Sequence, residues 1–141
     1  MPMSNVRLVQ KLAHATPETA PSVQGRRDFF TYRDLGVTEA SLGKLRAQTM
    51  TAIRGMTEPT GWHYHDCEGQ FIYALKGWVE LEFETGDVIR LEEGESLFIP
   101  GGMRHNEIGT SDDLKILELS IPAKMETVAC DPPTTASSPG R

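Results

Sequence analysis

Residues 60–77 read TGWHYHDCEGQFIYALKG, and a second stretch, residues 94–105, reads GESLFIPGGMRH. The first stretch holds His63 and His65 one residue apart, and the second ends in His105; the whole chain has 4 histidines. In a β-strand, residues i and i+2 project from the same face, about 7 Å apart. A His-x-His on a strand therefore directs two imidazoles into one space, where a single metal ion can bind both, and His105 is the candidate third ligand from a distant strand.

The two stretches resemble the two sequence motifs of the cupin superfamily. In the first motif, His63 and His65 occupy the histidine positions and Gly77 occupies the closing glycine. Gln70 stands where the motif has a glutamate, and Thr57 stands where it has the leading glycine. The resemblance is specific because several spaced positions agree at once, whereas a lone His-x-His would be a weak signal.

The second motif matches at every position but the last, where Gly109 replaces an asparagine. The matching residues are Gly94, Pro100, Gly102 and His105. The resemblance spans roughly residues 42–121. It implies an all-β cupin barrel, that is, a double-stranded β-helix or jelly roll. It also implies one divalent transition metal held by His63, His65, Gln70 and His105.

Hydrophobic periodicity supports the same fold class without the resemblance. Residues 45–53, LRAQTMTAI, alternate between two faces with the period of a strand. Short strand-like segments follow, with turn residues every 8–12 positions and no helical pattern, which predicts an antiparallel sandwich or barrel. We expect one domain, with an N-terminal arm at residues 1–27, a barrel at 28–125 and a disordered, Pro- and Ser-rich tail at 126–141.

The composition of the chain limits the kinds of partner that we expect. The formal net charge of −6 argues against nucleic acid or an anionic membrane as the main partner. Cys67 and Cys130 are too few for a disulfide framework, and the first residues lack a long apolar signal sequence, so we expect a cytoplasmic protein. A strand within residues 6–12 and the pair Phe29-Phe30 suit exchange between two subunits, so we expect a homodimer.

Several other side chains have expected roles at or around the histidines. Gln70 is either a direct metal ligand through its carbonyl oxygen or a hydrogen-bonding group for metal-bound water or substrate. Glu107 shares the face of His105 by parity and is the candidate catalytic residue, orienting substrate or water. His14 is expected to be a surface residue, and Glu68 and Cys67 to be turn residues. An apolar pocket wall is expected from Ile72, Phe98 and Met103.

A three-histidine site resembles the iron centres of cupin dioxygenases, most closely the diketone-cleaving kind. This likeness implies Fe(II), with Ni, Zn, Mn, Co or Cu as alternatives, and a small enolate- or thiolate-type substrate that reacts with O2. A second class remains open, a non-redox isomerase, lyase or decarboxylase in which the metal acts as a Lewis acid. Its base would be Glu107, Tyr73 or Glu68. A third class is a small-molecule-binding cupin that is not an enzyme.

Overall fold

The computed structural model describes residues 9–20, 22–23 and 27–134. Strands dominate these residues, and a single short helix, α1, spans Val37–Ala40. The strands are β1 (Ser22–Val23), β2 (Phe30–Asp34), β3 (Arg46–Ala52), β4 (His63–Asp66), β5 (Gly69–Lys76), β6 (Trp78–Phe83), β7 (Val88–Glu92), β8 (Ser96–Pro100), β9 (His105–Thr110), β10 (Lys115–Ile121) and β11 (Glu126–Ala129). No helix in the described part of the chain is long and apolar enough to cross a bilayer.

The strands form two antiparallel sheets. Sheet A has the order β1-β2-β3-β10-β5-β8, and sheet B has the order β11-β4-β9-β6-β7. Their buried side chains form one hydrophobic core, to which both sheets contribute. The predicted all-β barrel architecture is confirmed, and every paired strand lies antiparallel to its neighbour.

Strand alternation explains how the sequence builds this core. In β6, Val79, Leu81 and Phe83 are buried, while the residues between them are half-buried. Because successive side chains point to opposite faces, this pattern places one apolar face of β6 against sheet A. Leu81 is 2% exposed, and burying such a side chain stabilises the fold by about 2 kcal/mol.

The barrel extends beyond the predicted boundaries. Glu126–Ala129 forms β11 and pairs with β4, so the prediction of a disordered tail from residue 126 is wrong for this segment. The strand forms because β4 would otherwise be an edge of sheet B, and β11 satisfies its backbone groups. The predicted strand at 6–12 lies partly outside the described residues, and residues 9–12 form no strand. The boundary at residue 28 between the N-terminal arm and the barrel stays a prediction.

A glycine pair connects β8 to β9 and packs against the turn that follows β4. The backbone N–H of Gly102 donates to the His65 carbonyl oxygen at 3.0 Å, and that of Gly101 donates to the Glu68 carbonyl oxygen at 3.2 Å. A Cβ atom at residue 101 would overlap the carbonyl oxygen of Cys67, which is backbone and cannot rotate away. The close approach of these two loops therefore requires glycine at position 101.

We expect Gly101→Ala to lower the free energy of unfolding by about 2–3 kcal/mol, because the backbone must shift to remove the overlap. Urea unfolding monitored by tryptophan fluorescence measures the change. Gly102→Ala is the matched control: it has φ of +82° but open space at its Cβ, so it should cost only about 1 kcal/mol. Equal losses in the two variants would show that the approach of the loops is not the constraint.

Candidate metal centre

Three histidines converge between the two sheets. His63 and His65 lie on β4, and His105 begins β9 directly opposite His63 in the strand register. All three are buried, with exposed fractions of 4%, 3% and 1%. One ring nitrogen from each lies within 4.8 Å of the other two, and the ring centroids are 4.5–5.2 Å apart. The structure thus brings together the three histidines that the spacing predicted.

Backbone carbonyls orient two of the rings. The Nδ1 of His63 lies 2.7 Å from the Gly61 carbonyl oxygen, and the Nδ1 of His105 lies 2.9 Å from that of Met103. A carbonyl oxygen can only accept, so each Nδ1 carries the proton and donates. Nε2 is then the nitrogen that each ring offers to a metal.

A side chain from β11 orients the third ring. The Nδ1 of His65 lies 3.0 Å from the hydroxyl oxygen of Thr127, which is the register partner of His65. Such contacts fix the tautomer and the direction of a metal-binding imidazole. Thr127 was not predicted, because it lies in the segment expected to be a disordered tail.

A further layer supports His63. The side-chain oxygen of Asn106 accepts the backbone N–H of Gly61 at 2.9 Å, and its amide group donates to Glu82 at 2.8 Å. Gly61 has φ of +93°, a conformation that favours glycine. Asn106 therefore fixes the carbonyl that in turn holds the His63 ring.

Gln70, the predicted fourth ligand, lies on β5 in the opposite sheet. It is 6% exposed and lines the same cavity as His105. Its Nε2 donates to the carboxylate of Glu118, so Oε1 is the atom that remains for a metal, water or substrate. The sequence leaves open whether Gln70 binds the metal directly or hydrogen-bonds metal-bound water or substrate. The geometry assigns a partner to Nε2 of Gln70 but not to Oε1.

Glu118 is a buried acid that the sequence reasoning missed. It is 4% exposed, and it accepts from Gln48 at 2.6 Å and from Arg46 at 3.5 Å in addition to Gln70. These donors offset the cost of removing a carboxylate from water. The signal available in the sequence was its parity, because Glu118 shares the inward face of β10 with the buried Ile116 and Ser120.

Glu107 lies close to the histidines. Its Oε2 is 4.0 Å from the Nε2 of His63, its side chain is 17% exposed, and it lines the cavity. Two of the residues predicted as alternative catalytic bases lie away from the histidines. Glu68 is exposed on its turn, and Tyr73 is exposed on the outer face of sheet A.

The predicted apolar wall is confirmed for Ile72 and wrong for Phe98, and Met103 is not among the residues that line the cavity. Ile72 is buried and lines the cavity, and Met103 packs against the core. Phe98 is 58% exposed, because the strand parity of β8 turns Ile99 inward instead. The Phe98 ring covers Gly69 on the outer face of the sheet, where a Cβ would collide with it.

The remaining candidates lie outside the cluster. His14 is exposed, as predicted for a surface residue. Burial raises the pKa of the Cys67 thiol and that of the Cys130 thiol above the ordinary value, so both stay protonated at neutral pH. Neither cysteine belongs to the group of possible ligands around the three histidines.

The donor set fits a divalent transition metal. Imidazole nitrogen is a ligand for iron, nickel, copper, zinc, cobalt and manganese alike, so these residues do not select one of them. Three protein ligands leave further coordination positions for water or substrate, as in catalytic rather than structural sites. The cavity beside the histidines measures about 30 Å³, room for about two water molecules before any side chain moves.

The fold and this site agree with a family match. Residues 53–121 match Cupin_2, the cupin domain family. The chain is a small, single-domain cupin. No curated protein sequence matches it.

Solved structures of the same fold share little sequence with this cupin. KdgF from Halomonas sp. is 20% identical with a TM-score of 0.66, and the match covers 81% of this chain and 96% of that one. The polyketide cyclase RemF from Streptomyces resistomycificus is 19% identical with a TM-score of 0.66, covering 91% and 94%. FeII HppE is 16% identical with a TM-score of 0.63, covering 82% and 63%. At these identities the likeness supports the fold alone.

The contact from β11 generates a prediction. Thr127→Val keeps the shape of the side chain but removes the hydroxyl that holds His65, so we expect affinity for Co(II) to fall by about tenfold or more. Competition with a chromophoric chelator measures the dissociation constant. Thr127→Ser retains the hydroxyl and should bind Co(II) within about twofold of the unaltered protein. A Thr127→Val variant that binds equally well would show that β11 does not orient the ligand.

Proposed function

We propose that this cupin is a mononuclear non-haem iron dioxygenase that acts on a small chelating substrate of the enolate or thiolate type. The observation that carries the proposal is the group of three buried histidines whose Nδ1 atoms are each held by another group. Such an arrangement presents three neutral nitrogens from one side and leaves the other side for substrate and O2.

The charge of the site favours an anionic substrate. Three neutral imidazoles contribute no charge to offset the two positive charges of a divalent metal, and Gln70 replaces the charged residue of the cupin motif. The carboxylate of Glu107, 4.0 Å from Nε2 of His63, offsets only part of that charge. A bidentate anion would supply the missing charge through its own oxygens or sulfur. Fe(II), when bound, would supply the chemistry that brings O2 into reaction with the substrate. The Fe(II) of HppE, a protein of the same fold, makes iron the metal to test first.

The protein's own residues would have two tasks. Core side chains around the cavity, including Ile72 and Ile99, exclude bulk water and so strengthen electrostatic interactions inside it. Glu107 lies close enough to His63 to share a water molecule with a group bound beside it. We therefore propose that Glu107 orients the substrate or a water molecule.

A non-redox metal-dependent enzyme is the second candidate, and the position of Glu107 favours it as well. A carboxylate 4.0 Å from His63 could remove a proton from a substrate that the metal polarises as a Lewis acid. Polyketide cyclase RemF and the oxalate decarboxylase of Bacillus subtilis share the fold. A small-molecule-binding cupin without catalysis would use the same cavity. Oxygen consumption separates the first candidate from the other two.

We expect the purified protein to contain about one equivalent of a divalent transition metal, and His63→Ala and His105→Ala to lose it. Elemental analysis of protein prepared without added metal measures the content. His14→Ala is the matched control, since His14 is exposed and lies outside the cluster. If no variant or unaltered protein holds a metal even after reconstitution, the proposed chemistry is excluded and a binding role is favoured.

After reconstitution with Fe(II), we expect O2 uptake with a β-dicarbonyl or a thiol substrate, measured with an oxygen electrode. Glu107→Gln should lower kcat by about 10²-fold or more with little change in metal content, because it removes the charge but keeps the size of the side chain. Exchange or elimination of substrate protons without O2 uptake would replace this proposal with the non-redox one.

We also propose that the protein is a cytoplasmic homodimer. Its two cysteines are free, as is usual in a reducing compartment. Strands β10, β5 and β8 present apolar side chains on the outer face of sheet A, and several are well exposed, such as Phe98 at 58% and Ile121 at 45%. A second copy of the chain would cover this face. The face consists of Phe71, Tyr73, Leu75, Phe98, Leu117, Leu119 and Ile121.

Light scattering tests the dimer. We expect about twice the chain mass of 15.6 kDa, and we expect Tyr73→Glu to give the mass of one chain because it places a charge in the middle of the apolar face. Val88→Glu is the control, since Val88 is 60% exposed on β7 in the other sheet. A monomeric mass for the unaltered protein would reject the proposal.

A further inference from the structure

A row of three polar residues crosses the inner face of sheet A. Arg46 on β3 pairs in register with Ser120 on β10, and Ser120 pairs with Gln70 on β5. Side chains directly opposite one another on neighbouring strands have Cβ atoms about 5 Å apart. The three side chains therefore form one continuous polar strip on this face, next to the buried pair Gln48 and Glu118.

Each member of this strip has a buried polar atom without a hydrogen-bond partner among the described residues. These atoms are Nε of Arg46, Oγ of Ser120 and Oε1 of Gln70. Ser120 is 0% exposed and Gln70 is 6% exposed. Roughly 90% or more of buried polar groups have a partner in the protein or in ordered water, so three neighbouring exceptions in one row indicate a place for a polar group from outside the chain.

Glu118 keeps the polar atoms of the strip from forming hydrogen bonds with one another. Its carboxylate accepts from Arg46 on one side and from Gln70 on the other. Turning the Gln70 amide over would place its oxygen against the carboxylate, and withdrawing Arg46 would leave a buried charge with one donor fewer. The two side chains are thus held with Nε of Arg46 and Oε1 of Gln70 directed elsewhere.

We propose that this strip binds a hydroxyl group of the substrate. Nε of Arg46 can only donate a hydrogen bond, Oε1 of Gln70 can only accept one, and Oγ of Ser120 can do either. A hydroxyl group accepts and donates at once, so it satisfies all three. A carboxylate could not donate to Gln70 and would face the charge of Glu118, and an ammonium group could not accept from Arg46.

Gln70 is the member of the strip that lines the cavity beside the histidines. Gln70 and Glu118 line it from sheet A, and His105 and Glu107 line it from sheet B. Resting on the proposed function, this inference narrows the substrate to a small chelating anion that carries a further hydroxyl group. Gln70 then contacts substrate rather than metal.

Three small chelating anions test the inference on the Co(II)-loaded protein. Lactate, 3-chlorolactate and glycerate each present the same 2-hydroxycarboxylate to a metal, but only glycerate carries a further hydroxyl. In 3-chlorolactate a larger chlorine atom, which cannot donate a hydrogen bond, takes the place of that hydroxyl. Titration followed by the Co(II) visible spectrum measures each dissociation constant. We expect glycerate to bind about five- to tenfold more tightly than the other two.

Variants of the strip residues test whether these residues cause the preference for glycerate. Gln70→Leu and Ser120→Ala should each reduce the preference for glycerate to about twofold or less while the Co(II) dissociation constant stays within about twofold. Thr51→Ala is the matched control, because Thr51 is exposed on β3 and should leave the preference intact. Ser120→Ala keeps the Gln70 contact with Glu118, so it serves as the test should Gln70→Leu fail to fold.

The outcomes separate the two proposals. Equal affinities of the unaltered protein for the three anions would overturn the inference while the metal site stands. A loss of Co(II) affinity of tenfold or more in Gln70→Leu would make Gln70 a metal ligand and also overturn it. If the unaltered protein binds no Co(II), the proposed function fails first, and the inference built on it fails with it.

Discussion

The pairing of β4 with β9 is the constraint on which the site depends. It places His63 directly opposite His105, so that two imidazoles from residues far apart in sequence share one space. Because side chains alternate between faces, a slip of one residue in this register would turn a histidine out of the barrel. The pairing of β11 with β4 adds Thr127 opposite His65 on the other side. The geometry of the metal centre therefore depends on the strand register in sheet B.

Each ring is also fixed by a different piece of the chain. The contacts to Nδ1 come from the residue that precedes β4 by two positions, from the loop before β9 and from β11. Because these pieces meet only in the folded barrel, the geometry of the nitrogens is set before a metal binds, and ordering the rings then costs little at the moment of binding. Gly61 adopts the positive φ, and Gly101 permits the close approach of two loops, that this arrangement needs.

The local parts of this structure could be predicted from sequence, and the non-local parts could not. The spacing of His63, His65 and His105 and the alternation of the strands determined the histidine cluster and the fold class. Phe98 was misplaced because its face depends on the register of β8 against β5. Glu118 was missed because its partners lie 48, 70 and 72 residues away, and only the folded sheet shows that a charge can be buried there.

The positions of the carboxylates determine the charge around the three histidines. In the cupin motif a glutamate stands at the position of Gln70, where its charge would offset part of the charge of a metal. Here the carboxylate of Glu118 lines the cavity and accepts from Gln70 and from Arg46, while the carboxylate of Glu107 lies 4.0 Å from Nε2 of His63. Coulomb interactions weaken with distance and with an intervening opposite charge, so Glu107 rather than Glu118 would offset more of the charge of a metal beside the three histidines. One nearby carboxylate leaves part of the charge of a divalent metal for a bound anion to offset, which is the reason for proposing an anionic substrate.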